Sequence, residues 1–215
     1  MTPEAKARIE NVQKIVRDVI ASPECGGLRL SEENKEWLEK IDTLPRFYKA
    51  DLGDYKPASE KKGGEREYQR EVVYNTKDER REWLDIEIPT GWVRGHKTLD
   101  LIGRDKGSED NRQFILCELK KGGSHPFDTL LQVLAYYLMI QQNAEKMDDD
   151  DVHHTNAKCK DFEWVNVRDN VRLLIQAKGG WGRHRKPKMI ALDEIIKACE
   201  KVGLKIEVDP KINLP

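Results

Sequence analysis

Three residues of the chain have types and spacing that suit a divalent cation held beside a phosphate: Asp100, Glu118 and Lys120. Asp100 interrupts the apolar run 98–103, and Glu118 and Lys120 lie two apart in the run 114–120. Residues two apart in a β-strand share a face, so Glu118 and Lys120 are expected to point the same way. Strands of a hairpin lie ~4.8 Å apart, close enough for Asp100 and Glu118 to share one cation.

These residue types indicate a particular kind of chemistry. Two carboxylates, completed by phosphate oxygens and water, suit Mg²⁺, a hard ion that prefers octahedral oxygen ligands, and Mn²⁺ is expected to substitute for it. The ion polarises a phosphoryl group and acidifies a bound water. A neighbouring ammonium orients that water and offsets charge in the transition state. The pattern therefore predicts Asp100 and Glu118 as metal ligands and Lys120 as a catalytic lysine for hydrolysis of a phosphodiester bond.

The hydrophobic pattern predicts the elements that must position these residues. A helix is predicted at 65–76, before these residues. The stretch 143–168 is polar, and its sequence indicates no role in the hydrophobic core. The other predicted elements after residue 64 are strands at 82–88, 97–103 and 113–120, a helix at 127–142, a strand at 171–177, a helix at 192–201 and a strand at 204–208. A helical crossover between strands implies a mixed sheet with helices on both faces, so the predicted fold class is α/β.

The first sixty residues have a different character. An amphipathic helix is predicted over 3–21, and Ser31 is the expected N-cap of a second helix. Residues 45–64 are rich in Pro, Gly, Asp and Lys without a clear period, which is typical of a linker. The chain is therefore divided into a helical extension and linker at 1–60 and a main domain at 61–215.

Asp100 followed by Glu118-Leu119-Lys120 resembles the signature of the PD-(D/E)xK nuclease superfamily. The predicted order of elements from residue 65 to 208 is similar to the α-β-β-β-α-β-α-β core of its restriction-endonuclease-like fold. Gln132 and Tyr136 resemble the Gln-x-x-x-Tyr motif of the exonuclease-like branch, whereas Leu99 stands where the name-giving proline would be. The resemblance implies a magnesium-dependent endonuclease that hydrolyses DNA and leaves 5′-phosphate and 3′-hydroxyl ends.

The resemblance also implies a further acidic residue from the helix before the strands. On a helical wheel Glu65 lies about 20° from Val72 and about 60° from Tyr68, which places it on the inward side. Glu71 lies about 100° from Val72 and is the reserve choice. Glu65 is therefore the expected third metal-site residue. Gln132 is expected to support the catalytic group, and a surface position on a half-buried helix is the alternative interpretation of this residue.

Contacts to nucleic acid must come from local basic patches, because the net charge of −1 gives no overall attraction. The segment 178–188 contains five Lys or Arg, a tryptophan and no acidic residue, which suits a loop that grips a backbone. An ordinary solvated turn is the alternative interpretation. The expected contacts to DNA are Lys121, Tyr136, Lys178, Arg183, Arg185, Lys186 and Lys188.

Other classes of protein are disfavoured by the sequence. The four cysteines are far apart, so neither a zinc cage nor a disulfide framework is expected, and reduced thiols indicate a cytoplasmic protein. The first residues lack the apolar core of a signal peptide, and no apolar run is long enough to span a membrane. There is no glycine-rich phosphate loop of the kind that a nucleotide-driven motor requires.

Three alternatives stay open at this stage. The first is a catalytically silent nucleic-acid- or protein-binding member of the same fold, and the second is a nuclease acting on RNA or on junctions. The third is a charged α/β scaffold in which the motif is coincidental. The N-terminal helices are candidates for contacts in a homodimer, although no single residue there indicates one.

Overall fold

The computed structural model of the protein describes residues 1–26, 28–39, 65–75, 78–93, 96–107, 113–152, 162–182 and 186–210. The helices are α1 (Pro3–Ala21), α2 (Glu32–Glu39), α3 (Glu65–Arg70), α4 (Pro126–Asp149), α5 (Trp164–Asp169) and α6 (Lys186–Lys201). A 3₁₀ turn lies at Pro23–Cys25, and a π-helical turn at Glu71–Asn75 continues α3. The strands are β1 (Arg81–Val93), β2 (His96–Asp105), β3 (Phe114–Lys120), β4 (Val171–Ala177) and β5 (Ile206–Asp209).

These strands form one mixed sheet in the order β1-β2-β3-β4-β5. The first three strands are antiparallel neighbours, whereas β3 and β4, and then β4 and β5, pair in parallel. Parallel neighbours require crossover connections, which α4 with α5 and then α6 provide. The predicted α/β class, with a mixed sheet flanked by helices, is therefore confirmed.

One face of the sheet is covered by α4, which is apolar on nearly every side and is buried throughout its middle. A helix of this kind must be enclosed by other elements. The sheet covers one side of α4, and its other sides are contacted by α1, α2, α5 and α6. The stripe that α1 turns inward joins the same core and comprises Ile9, Val12, Val16 and Val19.

The other face of the sheet is covered by α3 and its π-helical turn. Tyr68, Val72 and Val73 pack there in a second core with residues of β1 to β4. Strand β3 contributes Ile115, Cys117 and Leu119 to that core, while its Leu116 packs on the α4 side. Burial on both faces explains why β3 is an almost continuous apolar run, which makes its two charged residues conspicuous.

The stretch 143–168 does contribute to the core, contrary to the prediction. Helix α4 continues to Asp149, and Met147 and Trp164 are fully buried. The Asp148 carboxylate accepts hydrogen bonds from the backbone N–H groups of Trp164 and Val165, at 2.5 and 3.1 Å, and so holds the start of α5. Most exposed residues of this stretch are polar, and the few buried residues lie too far apart to form a hydrophobic period in the sequence.

Other boundaries of the elements agree with the predictions to differing degrees. Helix α1 and strand β4 have the predicted limits, and the Ser31 hydroxyl accepts a hydrogen bond from the Asn34 N–H at 3.2 Å, as expected of an N-cap. Helix α6 begins at Lys186 rather than at Leu192. The predicted linker at 45–64 lies outside the described residues. Among the helices that are described, none is both long and apolar enough to pass through a membrane.

A group of ion pairs joins strands across the sheet. The Arg172 guanidinium on β4 donates to Asp105 on β2 at 2.8 Å and to Glu207 on β5 at 2.7 Å. Arg81 on β1 donates to the other oxygen of Glu207 at 2.6 Å. The side chain of Arg172 is only 6% exposed, so its charge depends on these carboxylates for compensation.

We predict that Arg172→Ala lowers the free energy of unfolding by about 2 kcal/mol, because the carboxylates of Asp105 and Glu207 lose their shared partner. Urea unfolding followed by circular dichroism measures the change. The matched control is Lys14→Ala, which breaks an exposed pair with Asp18 at 2.6 Å and is expected to change the value by less than about 0.5 kcal/mol. Equal losses in the two variants would contradict this assignment.

Candidate active site at a fork between two strands

The predicted carboxylates lie where strands β2 and β3 separate. Their pairing runs from Arg104 opposite Phe114 to Leu101 opposite Cys117. Asp100 follows next on β2, and its Oδ2 accepts a hydrogen bond from the Leu119 backbone N–H at 2.8 Å. A side chain of β2 therefore takes the place of a backbone acceptor, and the strands diverge from this point. We call this place the fork.

The Asp100 carboxylate is held on both sides. Its Oδ1 accepts a hydrogen bond from Nε2 of Gln69, on α3, at 2.6 Å. The Asp100 residue is 6% exposed. These two hydrogen bonds, one to each oxygen, fix the orientation of the carboxylate.

Glu118 and Lys120 lie side by side on β3, as the alternation predicted. Because Cys117 and Leu119 pack on the α3 side, Glu118 and Lys120 point to the α4 side. The Lys120 Nζ donates to Oε1 of Glu118 at 2.7 Å. Glu118 is fully buried, while the Lys120 side chain is 16% exposed. A carboxylate so deeply buried requires a charged partner, and Lys120 is one.

Helix α4 supplies Tyr136 and Gln132 to the same place. Burial and then the charge of Glu118 raise the pKa of the Tyr136 hydroxyl well above its ordinary value, and a hydrogen bond with Gln132 partly offsets the shift. Asp100 also raises this pKa. The residue types therefore occur together as the sequence suggested, with Tyr136 in the core beneath the fork and Gln132 partly exposed.

The thiol of Cys117, on the opposite face of β3, is also affected by the charges of Asp100 and Glu118. Burial raises its pKa well above 9.0, and the charges of Asp100 and Glu118 add to the effect. The charges of Asp100 and Glu118 also act on the Tyr136 hydroxyl, on the other side of the sheet. Both carboxylates thus act on the same thiol, while their sharing of one cation stays a prediction.

The two acidic residues considered on the preceding helix are placed differently. Glu65 begins α3, but its side chain lies outside the part of the chain that is described. The carboxylate of Glu71 forms an ion pair with Lys178, whose ammonium lies 5.3 Å from the centre of the Tyr68 ring. Glu71 thus lies at the rim of the fork.

The residue of α3 that contacts Asp100 is Gln69, which the sequence interpretation missed. Only acidic residues were considered for this position, although an amide can also orient a carboxylate. A helical wheel places Gln69 on the inward side of α3, because it lies about 60° from Val72 and about 40° from Val73, both of which point inward. A polar residue in the middle of an inward stripe needs a polar partner, and Asp100 is that partner.

The residues predicted to contact DNA fall into four groups. Lys121 and Lys186 are exposed. Lys178 is paired with Glu71, and Lys188 is paired with Asp128, so both carry a charged partner within the protein. Arg183 and Arg185 lie outside the described residues, and Tyr136 is fully buried.

The donors at the fork fit a hard cation. Asp100 and Glu118 offer carboxylate oxygens, which Mg²⁺ and Mn²⁺ prefer, and the thiol of Cys117 is turned to the other face. Within the described ranges, no group of three His, Cys, Asp or Glu side chains is arranged to hold a metal ion. A cation bound by two carboxylates would complete its shell with water and substrate oxygens, as Mg²⁺ usually does.

Comparison with models of protein families, with curated proteins and with solved structures found no match. Two buried carboxylates, an ammonium and two amide side chains can bind a hydrated divalent cation, orient a water molecule and offset negative charge on a phosphate.

We predict that Cys117→Ala makes the stability of the protein less sensitive to alkaline pH. The folded thiol stays neutral well above 9.0, whereas the unfolded thiol ionises there, so its contribution to stability is complete below about pH 9 and is lost as pH rises. One such thiol contributes a slope of about 1.4 kcal/mol per pH unit. Urea unfolding of both proteins between about pH 10 and 11 measures the difference, and equal slopes would contradict the environment described for Cys117.

Proposed function

We propose that the protein is a magnesium-dependent nuclease that hydrolyses phosphodiester bonds of DNA as an endonuclease, on a core of the restriction-endonuclease-like kind. One observation carries the proposal. The fork brings two carboxylates from neighbouring strands together with a lysine ammonium 2.7 Å from one of them. Buried carboxylates and a lysine in this arrangement are unfavourable for folding alone, which favours a chemical role.

Each residue at the fork has a role in this proposal. Asp100 and Glu118 would hold the cation, which when bound would polarise the phosphate and acidify a water molecule. Lys120 would orient that water and offset charge that develops on the phosphate. Gln132 and Tyr136, whose side chains interact beside Glu118, would hold the Glu118 carboxylate in position.

The surroundings of the fork support DNA as the partner. The loop that follows β3 begins at Lys121, and the loop that follows β4 begins at Lys178. Lys178 donates its N–H to the Lys120 carbonyl at 2.8 Å, and Gly182 donates to the Ser124 carbonyl at 2.9 Å. The two basic loops therefore lie side by side at the same edge of the sheet as the fork, where a phosphate backbone would approach the carboxylates.

Glycine at position 182 allows this contact between the loops. A Cβ atom there would lie 2.2 Å from the carbonyl oxygen of Gly123, so the backbone of one loop would have to shift. The side-by-side placement of the basic loops thus depends on a residue without a side chain where Gly182 meets Gly123.

A second candidate function is a binding protein on the same fold without catalytic activity. Its supporting observation is that Glu118 is fully buried and already paired with Lys120. A cation would have to compete with that ammonium for the carboxylate. This candidate predicts binding of DNA without cleavage, and the experiment below separates the two.

We predict Mg²⁺-dependent cleavage of closed circular DNA, with activity lost in chelator and reduced at least about 100-fold in Lys120→Ala. The protein is incubated with supercoiled plasmid, linear duplex, single-stranded DNA and RNA, each with Mg²⁺, Mn²⁺ or chelator, and products are resolved on gels. The matched control is Lys205→Ala, which removes an exposed lysine just before β5 and is expected to cleave like the wild type.

Each outcome of this assay decides between the candidates. Conversion of the closed circle to linear or nicked forms supports an endonuclease, whereas shortening of linear substrates alone would replace it with an exonuclease. Cleavage of RNA alone would overturn DNA as the substrate. Binding without cleavage of any substrate would favour the second candidate, and equal activity in Lys120→Ala would remove the lysine from the mechanism.

We predict that Lys186→Ala weakens binding to duplex DNA and lowers the slope of log affinity against log salt concentration by about 0.9, because one phosphate contact is lost. Lys186 is exposed at the start of α6, next to the basic loop. Fluorescence anisotropy in a salt series with Ca²⁺ in place of Mg²⁺ measures the slope without cleavage. An unchanged slope would place the DNA elsewhere, and Lys14→Ala on the exposed face of α1 serves as the control.

A further inference from the structure

Gln69 is nine-tenths buried beside Asp100 and has one unsatisfied atom. The residue is 4% exposed, and its Nε2 donates to Oδ1 of Asp100 at 2.6 Å. Its Oε1 is buried and has no hydrogen-bond partner within the described part of the chain. The amide is thus half satisfied, in a place where folding would favour an apolar residue.

The orientation of this amide follows from the chemistry of its partner. An ionised carboxylate only accepts hydrogen bonds, so the amide must turn Nε2 to Asp100, and Oε1 is then left facing away from it. An unsatisfied buried acceptor destabilises a protein by about 1–3 kcal/mol. The remaining inward residues near it, Tyr68, Val72 and Val73, pack in an apolar core. A donor that arrives with a ligand at the fork would supply the partner that the described residues do not.

We propose that Gln69 is a positioning residue of a divalent-cation site, with Nε2 orienting the Asp100 carboxylate and Oε1 accepting a hydrogen bond from a cation-bound water. The inference rests on the proposed function, because it takes the cation at the fork as given. Mg²⁺ keeps several of its waters when it binds to protein, and such waters are strong donors. Residues behind the ligands commonly tune metal affinity 10- to 100-fold.

An amide suits this position better than a third carboxylate does in the absence of cation. A glutamate at 69 would place a second negative charge within hydrogen-bond distance of Asp100, and like charges so close cannot both be ionised at low cost. A bound cation would reverse this preference. The effect of a charge at position 69 therefore depends on whether a cation is present, which a purely structural role would not produce.

The chain offers a matched control in Gln141. This residue is fully buried on α4, its Nε2 donates to the Arg168 carbonyl at 2.7 Å, and its Oε1 also has no hydrogen-bond partner among the described residues. The two glutamines thus share burial and half-satisfied amides. They differ in the partner, which is a carboxylate at the fork for Gln69 and a backbone carbonyl for Gln141.

The experiment compares wild type, Gln69→Glu, Gln69→Ala, Gln141→Glu and Asp100→Ala, using Mn²⁺ alone as the probe. Thermal unfolding with and without Mn²⁺ gives the Tm, and titration calorimetry gives the affinity for Mn²⁺.

We expect Gln69→Glu to have a lower Tm than wild type without cation, and we expect Mn²⁺ to raise its Tm by more than it raises that of wild type. Gln69→Ala is expected to bind Mn²⁺ at least about 10-fold more weakly. Gln141→Glu is expected to lose stability that Mn²⁺ does not restore.

The results separate failure of this inference from failure of the proposed function. Wild-type affinity for Mn²⁺ in both Gln69 variants, with binding lost in Asp100→Ala, would overturn the role of Gln69 and leave the cation site standing. No binding of Mn²⁺ by the wild type would overturn the cation site itself. If Gln69→Glu does not fold even with Mn²⁺, the affinity of Gln69→Ala decides the question.

Discussion

The candidate site depends on one hydrogen bond, from the Leu119 backbone N–H to the Asp100 carboxylate. A carboxylate in that place ends the pairing of β2 and β3, because it occupies the donor that the next residue of β2 would have used. It also brings a charged group into a sheet that is covered on both faces by apolar cores. The opening between the strands and the chemistry within it therefore have the same origin.

The two helices that cover the sheet complete the fork from opposite sides. Helix α3 contributes Gln69, which holds Asp100, and α4 contributes Tyr136 and Gln132, which lie beside Glu118. Since α4 is enclosed by the sheet and several helices, its side chains have little freedom to move. The polar groups are thus held by well-packed elements, which is the condition for precise orientation of a cation or a water molecule.

Much of this arrangement could be predicted from the sequence, because alternation in a strand is a short-range rule. Glu118 and Lys120 share a face for that reason, and Asp100 stood out as a charge between leucines. Gln69 was missed because its partner lies on another element, far away in the chain. The buried positions between 143 and 168 were missed because Met147 and Trp164 are too widely spaced to form a period.

The packing of α1 has a consequence for how the protein can be cut into pieces. Its apolar stripe covers α4 and α6, so a fragment that starts at residue 61 would leave part of that core open to solvent. Exposed apolar surface of that kind promotes aggregation. The N-terminal segment is joined to the rest of the chain through residues 40–64, yet α1 packs in the same core as α4. A shortened form of the protein made for work on the fork should therefore retain the first helix.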